Sequence, residues 1–227
     1  MGISKYLTQW KYRINPFKTL YFNFKYLPFK DAIIFPFLIA NHVILRCLDG
    51  NVLIEAPYKR GMVRIGFRDM GIQNEKDRKT IIDLRSGSSL IFRGKASIGG
   101  GARLYTKGVL SIGDDFYLSL NSTIIAHDYV SIGNNVTVGW DSLIMDTDFH
   151  KVYNLGSMQP YSMTSPITIQ DHCWICNSCQ ILKGSNIPED SIIASMSLVN
   201  RELSTPPHSL LAGIPVQLKK TGITHKR

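Results

Sequence analysis

His150 ends the run Asp146-Thr147-Asp148-Phe149-His150. An imidazole titrates near neutral pH, so such a histidine can take a proton from a hydroxyl and return it within one turnover. A nearby carboxylate can fix the ring's tautomer and stabilise the imidazolium. Asp148 lies two residues away, and Asp128 lies twenty residues before Asp148. The alternative is an ordinary exposed loop histidine, and these five residues alone do not separate the two readings.

A second cluster is CWICNSC, residues 173–179. Its C-x2-C-x2-C spacing occurs in metal and iron–sulfur sites. A repeat that runs through it offers another explanation.

Every sixth residue from Ile169 is apolar: Ile169, Ile175, Ile181, Ile187, Ile193 and Val199. The residues two before each, from Ile175 onward, are Cys173, Cys179, Ser185, Ser191 and Ser197, all small. The same pattern appears upstream in threes, starting at Phe92, Ile112 and Ile132. A period of six is neither helical nor a simple strand alternation. It predicts short strands and tight turns stacked as a triangular prism, a parallel β-helix of hexapeptide repeats. One large residue per hexad fills the interior, and a small one relieves the bend. Cys173 and Cys179 are then small core residues, and no metal is expected.

The starts at Phe92, Ile112, Ile132, Ile169 and Ile187 are 20, 20, 37 and 18 residues apart. A plain coil has eighteen, so the extra residues all enter at one corner. The largest insertion spans 147–165, and binding loops of solenoids gather on one face in this way. His150 falls at its mouth, where the register would place the next interior residue.

The formal net charge is +9 over 227 residues. Lys5, Lys11, Arg13, Lys18, Lys25 and Lys30 all precede the first acidic residue, Asp31. Residues 1–46 lack the hexad period and combine these cations with Trp10, Tyr12, Phe17, Tyr21, Phe22, Phe24, Tyr26 and Phe29. Such an extension could meet phosphates, an anionic membrane or an acidic polymer, or it could cap the open end of the solenoid. AIIFPFLIA, residues 32–40, is too short to span a bilayer, and no signal-peptide pattern is seen. A cytoplasmic protein, peripheral at most at the inner face of a membrane, is expected. Nucleic acid is not an expected partner. The expected organisation is an N-terminal extension at 1–46, irregular strands at 47–90, a β-helix at 91–203 carrying loop 147–165, and a tail at 204–227.

WDSLIMDTDFHK, HCWICN, IASMSLVNRE and AGIP together resemble the hexapeptide-repeat acyltransferases, over roughly residues 90–220. With LYFNFKYLP added, the whole chain is similar to the O-acetyltransferases of bacterial surface polysaccharides. The resemblance implies a left-handed β-helix, a homotrimer and acetyl-CoA as donor, with a sugar or polysaccharide precursor as acceptor. It makes His150 the general base, with Asp148 or Asp128 as its partner. Trp174, Asn177 and Ser195 match positions beside the pantetheine arm. Asn200 and Arg201 match a pair near the nucleotide, and Lys219 follows as a further cation. Asn121 matches the acceptor-side asparagine; Trp140 and Asp141, on the turn before the loop, could contact a sugar. For both tryptophans simple packing is the competing role. His127 and His172 read as surface or hydrogen-bonding residues. His127, His150 and His172 are too far apart in sequence for the three-histidine zinc site of β-helical carbonic anhydrases. Gln170, Cys176, Ala194 and Met196 replace glycines usual in the family, so the donor groove is expected to differ.

The implied activity is acetyl transfer to a sugar hydroxyl. N-acyl transfer to an amino sugar and a non-catalytic β-helical scaffold are the alternatives.

Overall fold

A computed structural model describes residues 14–67 and 79–226. Lys5, Trp10, Lys11, Tyr12 and Arg13 of the expected N-terminal extension lie outside the described residues.

Among the described residues twenty-two short strands, β1 (Phe37–Ile39) to β22 (Gln217–Thr221), step in turn through three sheets. The first runs β1-β4-β7-β10-β13-β16-β19-β21-β22, the second β2-β5-β8-β11-β14-β17-β20, and the third β3-β6-β9-β12-β15-β18. From β1 to β17 each strand pairs in parallel with the strand three later; at the end of the first sheet β19 pairs in parallel with β21 (Ser209–Ala212), which pairs antiparallel with β22. This is a left-handed parallel β-helix.

The hexad register holds residue by residue. Leu104, Ile124, Ile144, Ile181 and Val199 stand directly above one another in the second sheet. All fifteen interior positions read from the period, Phe92 through Val199, are at most 1% exposed. Each such side chain contributes about 1.5–3 kcal/mol of burial.

The small residues at the bends are also buried, and they do more than save space. Ser185 Oγ lies within donating distance of two carbonyls, Leu182 (2.6 Å) at its own bend and Val199 (3.2 Å) in the coil above. The thiol of Cys179 donates in the same way to Ala194 (3.1 Å), and that of Cys173 to Pro188 (3.1 Å). The thiol thus takes the serine's role of satisfying a buried carbonyl. Burial pushes the Cys173 thiol up to about 12, which keeps it protonated for this contact.

Tight corners demand left-handed backbone. Asn121, Asp141, Ser178 and Met196 lie near φ +58° at one corner; Asp115, Asn135, His172, Asp190 and His208 lie near +55° at another. Asn and Asp tolerate this region better than most residues. Of Gln170, Cys176, Ala194 and Met196, expected to replace glycines, only Met196 occupies it.

The expected divisions at 46/47 and 90/91 correspond to no break in the sheets. β1, β2 (Val43–Leu48) and β3 (Asn51–Ile54) already form the first coil. Irregular corners and the absence of a strict six-residue spacing conceal it in the sequence. Likewise, 204–227 is not simply a tail: β21 adds to the prism and β22 folds back on it.

Helix α1 (Pro16–Tyr26) closes the other end. Asn15 caps it, accepting from the Lys18 amide (2.9 Å), and Pro16 occupies the first turn. Its buried Asn23 pairs with both backbone groups of Phe37, and Thr19 accepts from the Ile39 amide (3.1 Å). These bonds satisfy the open edge of β1. Phe22 packs on Phe37, and Phe37 on Phe92 (centroids 5.1 and 5.9 Å). Phe17, Leu20, Tyr21 and Phe24 remain exposed on the outer face. No helix among the described residues is long and apolar enough to cross a membrane.

Candidate active site

The corner between the second and third sheets carries the insertions. Between β14 (Leu143–Met145) and β15 (Ile167–Ile169) the chain leaves the prism as a two-legged loop. Bridges at Thr147–Thr164 and Tyr153–Pro160 hold the legs together. Leu155, Met158 and Tyr161 near its tip are exposed.

Asp146 anchors the loop. Its carboxylate is fully buried and accepts from the amides of His127 (2.7 Å), Asp128 (2.8 Å) and Tyr129 (2.8 Å), one coil below. Three charge-assisted bonds offset its desolvation and fix the turn at 127–129 to the mouth of the loop. Sequence reasoning gave Asp146 no role. The usable signal was a charge in a slot that the coils below fill with Thr106 and Ala126.

Phe149 follows in left-handed backbone (φ 60°). Its ring meets His127 edge-on (6.0 Å) and Tyr105 (6.3 Å). His127 and Tyr105 therefore form a platform under the loop, beyond the surface role expected of His127. His150 comes next, exposed at the loop's mouth. Among the described residues no hydrogen bond joins His150 to Asp148 or Asp128. Asp148 instead pairs with Lys183 of the coil above, and Asp128 is exposed one coil below.

The candidate donor residues lie elsewhere. Asn177 and Ser195 occupy consecutive coils of the corner between the first and second sheets, and Ser195 Oγ donates to Asn177 Oδ1 (2.7 Å). Asn121, Trp140 and Asp141 share that corner rather than the one bearing His150. β14 separates them, three residues or about 10 Å of strand. Trp174 lies on β16 (Trp174–Ile175), 38% exposed, with the ring of His225 tilted over it (5.6 Å). Asn200 and Arg201 are exposed after β20 (Leu198–Val199), and Lys219 is exposed on β22. Among the described residues no group of three metal-ligating side chains converges.

No family model matches the sequence. Galactoside O-acetyltransferase of Escherichia coli K12 is 29% identical over 109 residues, which are 48% of this chain and 52% of that protein. Protein YJL218W of Saccharomyces cerevisiae is 33% identical over 107 residues, 47% of this chain and 53% of that one. The crystal structure of the polySia specific acetyltransferase NeuO superimposes with a TM-score of 0.57 at 17% identity, covering 82% of this chain and 90% of that one. Over about half its length the chain is similar to acetyltransferases, and its fold is the β-helix that NeuO also has. It spans about half the length of the curated relatives it matches. At 17% identity the likeness to NeuO speaks for the fold alone.

Proposed function

We propose that this protein transfers an acetyl group from acetyl-CoA directly to a sugar hydroxyl of a bacterial surface polysaccharide or its precursor. The carrying observation is His150 itself: an imidazole without a protein hydrogen bond among the described residues, at the mouth of the large insertion. His150 takes the hydroxyl proton as the oxygen attacks the thioester carbonyl. The C–S bond then breaks, and the imidazolium returns the proton to the departing thiolate. Asp148 or Asp128 would be the carboxylate that steadies that charge.

Donor and base residues stand on different corners of one prism. A ring of three copies would set the loop corner of one against the Asn177–Ser195 corner of the next. The exposed Leu155, Met158 and Tyr161 support such packing, because an apolar loop tip gains by burial. Trp174, Asn177 and Ser195 would then receive the pantetheine arm, and Asn200, Arg201 and Lys219 the nucleotide. Asn121, Trp140 and Asp141 would face the acceptor across the interface. The exposed aromatic face of α1, with Lys25 beside it, supports peripheral contact with an anionic membrane.

The test is transfer from radiolabelled acetyl-CoA to a panel of polysaccharide repeat units and amino sugars, with sedimentation to count the subunits. His150→Ala should lower kcat by on the order of 10²–10⁴. Absence of both transfer and calorimetric CoA binding would sink the reading.

A further inference from the structure

The edge that leads to His150 carries a basic side chain on successive coils. Arg85, Lys107 and His127 each begin the same corner, joined coil to coil by Arg85 N–H to Thr106 O (2.8 Å) and Lys107 N–H to Ala126 O (2.8 Å). Arg85 is neutralised by Asp83 (2.8 Å) while its guanidinium lies over Tyr105 (5.6 Å). Higher up, Lys183 is paired with Asp148. Lys107 differs from both. Among the described residues no carboxylate pairs with it, although Asp128 sits one coil above. Its ammonium approaches His127 Nε2 instead (3.2 Å). An ammonium has only donors, so Nε2 accepts and the ring proton resides on Nδ1. The remaining N–H donors of Lys107 face solvent beside the His127–Phe149–Tyr105 platform.

We infer that Lys107, steadied by His127, binds an anionic group of the acceptor glycan, a sugar carboxylate or a phosphate, about two coils from the reacting hydroxyl. Three geometric features support this. Each coil step is about 4.8 Å, so Lys107 stands about 10 Å below the start of the loop, close enough for an acceptor sugar and its neighbour to bridge. The platform of Tyr105, Phe149 and His127 offers ring surface along that path. Arg85 and Lys183 are already paired with carboxylates, whereas among the described residues Lys107 is not. This inference rests on the sugar-acceptor reading above, but binding reads it without transfer.

The test uses the full chain and calorimetry at several salt concentrations. The probes are a uronic-acid oligosaccharide, a sugar phosphate and an uncharged oligosaccharide, each titrated into wild type, Lys107→Gln and the remote control Lys30→Gln. The expected result is preference for one anionic probe, weakened about three- to tenfold in Lys107→Gln only, with a shallower salt dependence. Which anionic probe wins distinguishes carboxylate from phosphate. Acetyl-CoA affinity should be unchanged. Equal binding of charged and uncharged probes, or equal affinity in wild type and Lys107→Gln, overturns the inference. So does a loss confined to acetyl-CoA, which would place Lys107 at the donor. His150→Ala should still bind the probe. If it binds but wild type transfers nothing, the transfer reading fails while this one stands.

Discussion

Ser195 and Asn177 stand on consecutive coils of one corner, eighteen residues apart in sequence, and share a 2.7 Å hydrogen bond. The serine hydroxyl occupies the carboxamide oxygen. The carboxamide nitrogen keeps one long contact, to Ser178 Oγ (3.4 Å). The pair therefore presents a fixed donor rather than a freely rotating amide.

If this pair receives the pantetheine arm, its members act as a unit. Ser195→Ala frees the carboxamide, and Asn177→Ala removes it. Each should raise KM for acetyl-CoA about fivefold, the equivalent of roughly 1 kcal/mol, with kcat little changed. The double variant should be no worse than the poorer single one. Steady-state kinetics over the four proteins checks this, and strictly additive losses would show that the two residues work separately.

Asp146 and Asp148 are two residues apart and should behave differently. Asp146→Asn keeps the shape but turns an amide N–H₂ toward a buried cluster of three backbone N–H donors. We expect it to cost about 2–4 kcal/mol in urea unfolding. Asp148→Asn breaks only a part-exposed pair with Lys183 and should cost below about 1 kcal/mol. Comparable losses in the two variants would mean that the 127–129 turn is not held by Asp146.

The prism was legible because its physics is periodic. Buried Ile, Val and Leu recur at six, and the small residues at the bends mark the corners. The cysteine run was decided by the same period, since Cys173 and Cys179 fall in serine slots. The first coil was not legible: β1 to β3 lack a strict period, and their edge is satisfied by Asn23 and Thr19 of a helix, a contact without local signature. The position of His150 followed from the insertion. Its surroundings did not, because His127, Tyr105 and Phe149 meet only once separate coils are stacked. That Asn121, Trp140 and Asp141 share a corner with Asn177 and Ser195 was not legible either, because strand β14 carries the chain from that corner to the one bearing His150.

The segment after β22 adds a contact that period and motif left hidden. It turns back so that Ile223 N–H donates to His208 O (3.0 Å) and His225 covers Trp174. Burial holds the His225 pKa below its ordinary value of 6.5; His172 lowers it further, and Asp190 opposes both. Asp190 also lies 3.8 Å from His208 Nδ1. A docked group with a lowered pKa binds fewer protons than the free one, so docking gains with rising pH. Its contribution is present above about pH 6.5 and is lost as pH falls below it. Acidification should therefore release the segment and uncover Trp174. Hydrogen exchange at Ile223, corrected for the intrinsic rate, should show less protection at pH 5.5 than at pH 8. His225→Phe keeps the ring contact without the titration and should abolish that difference. In the same comparison, a chain ending at Gly222 should bind acetyl-CoA at pH 8 at least as tightly as the intact protein. Weaker binding would mean that the segment helps to form the donor groove rather than covering it.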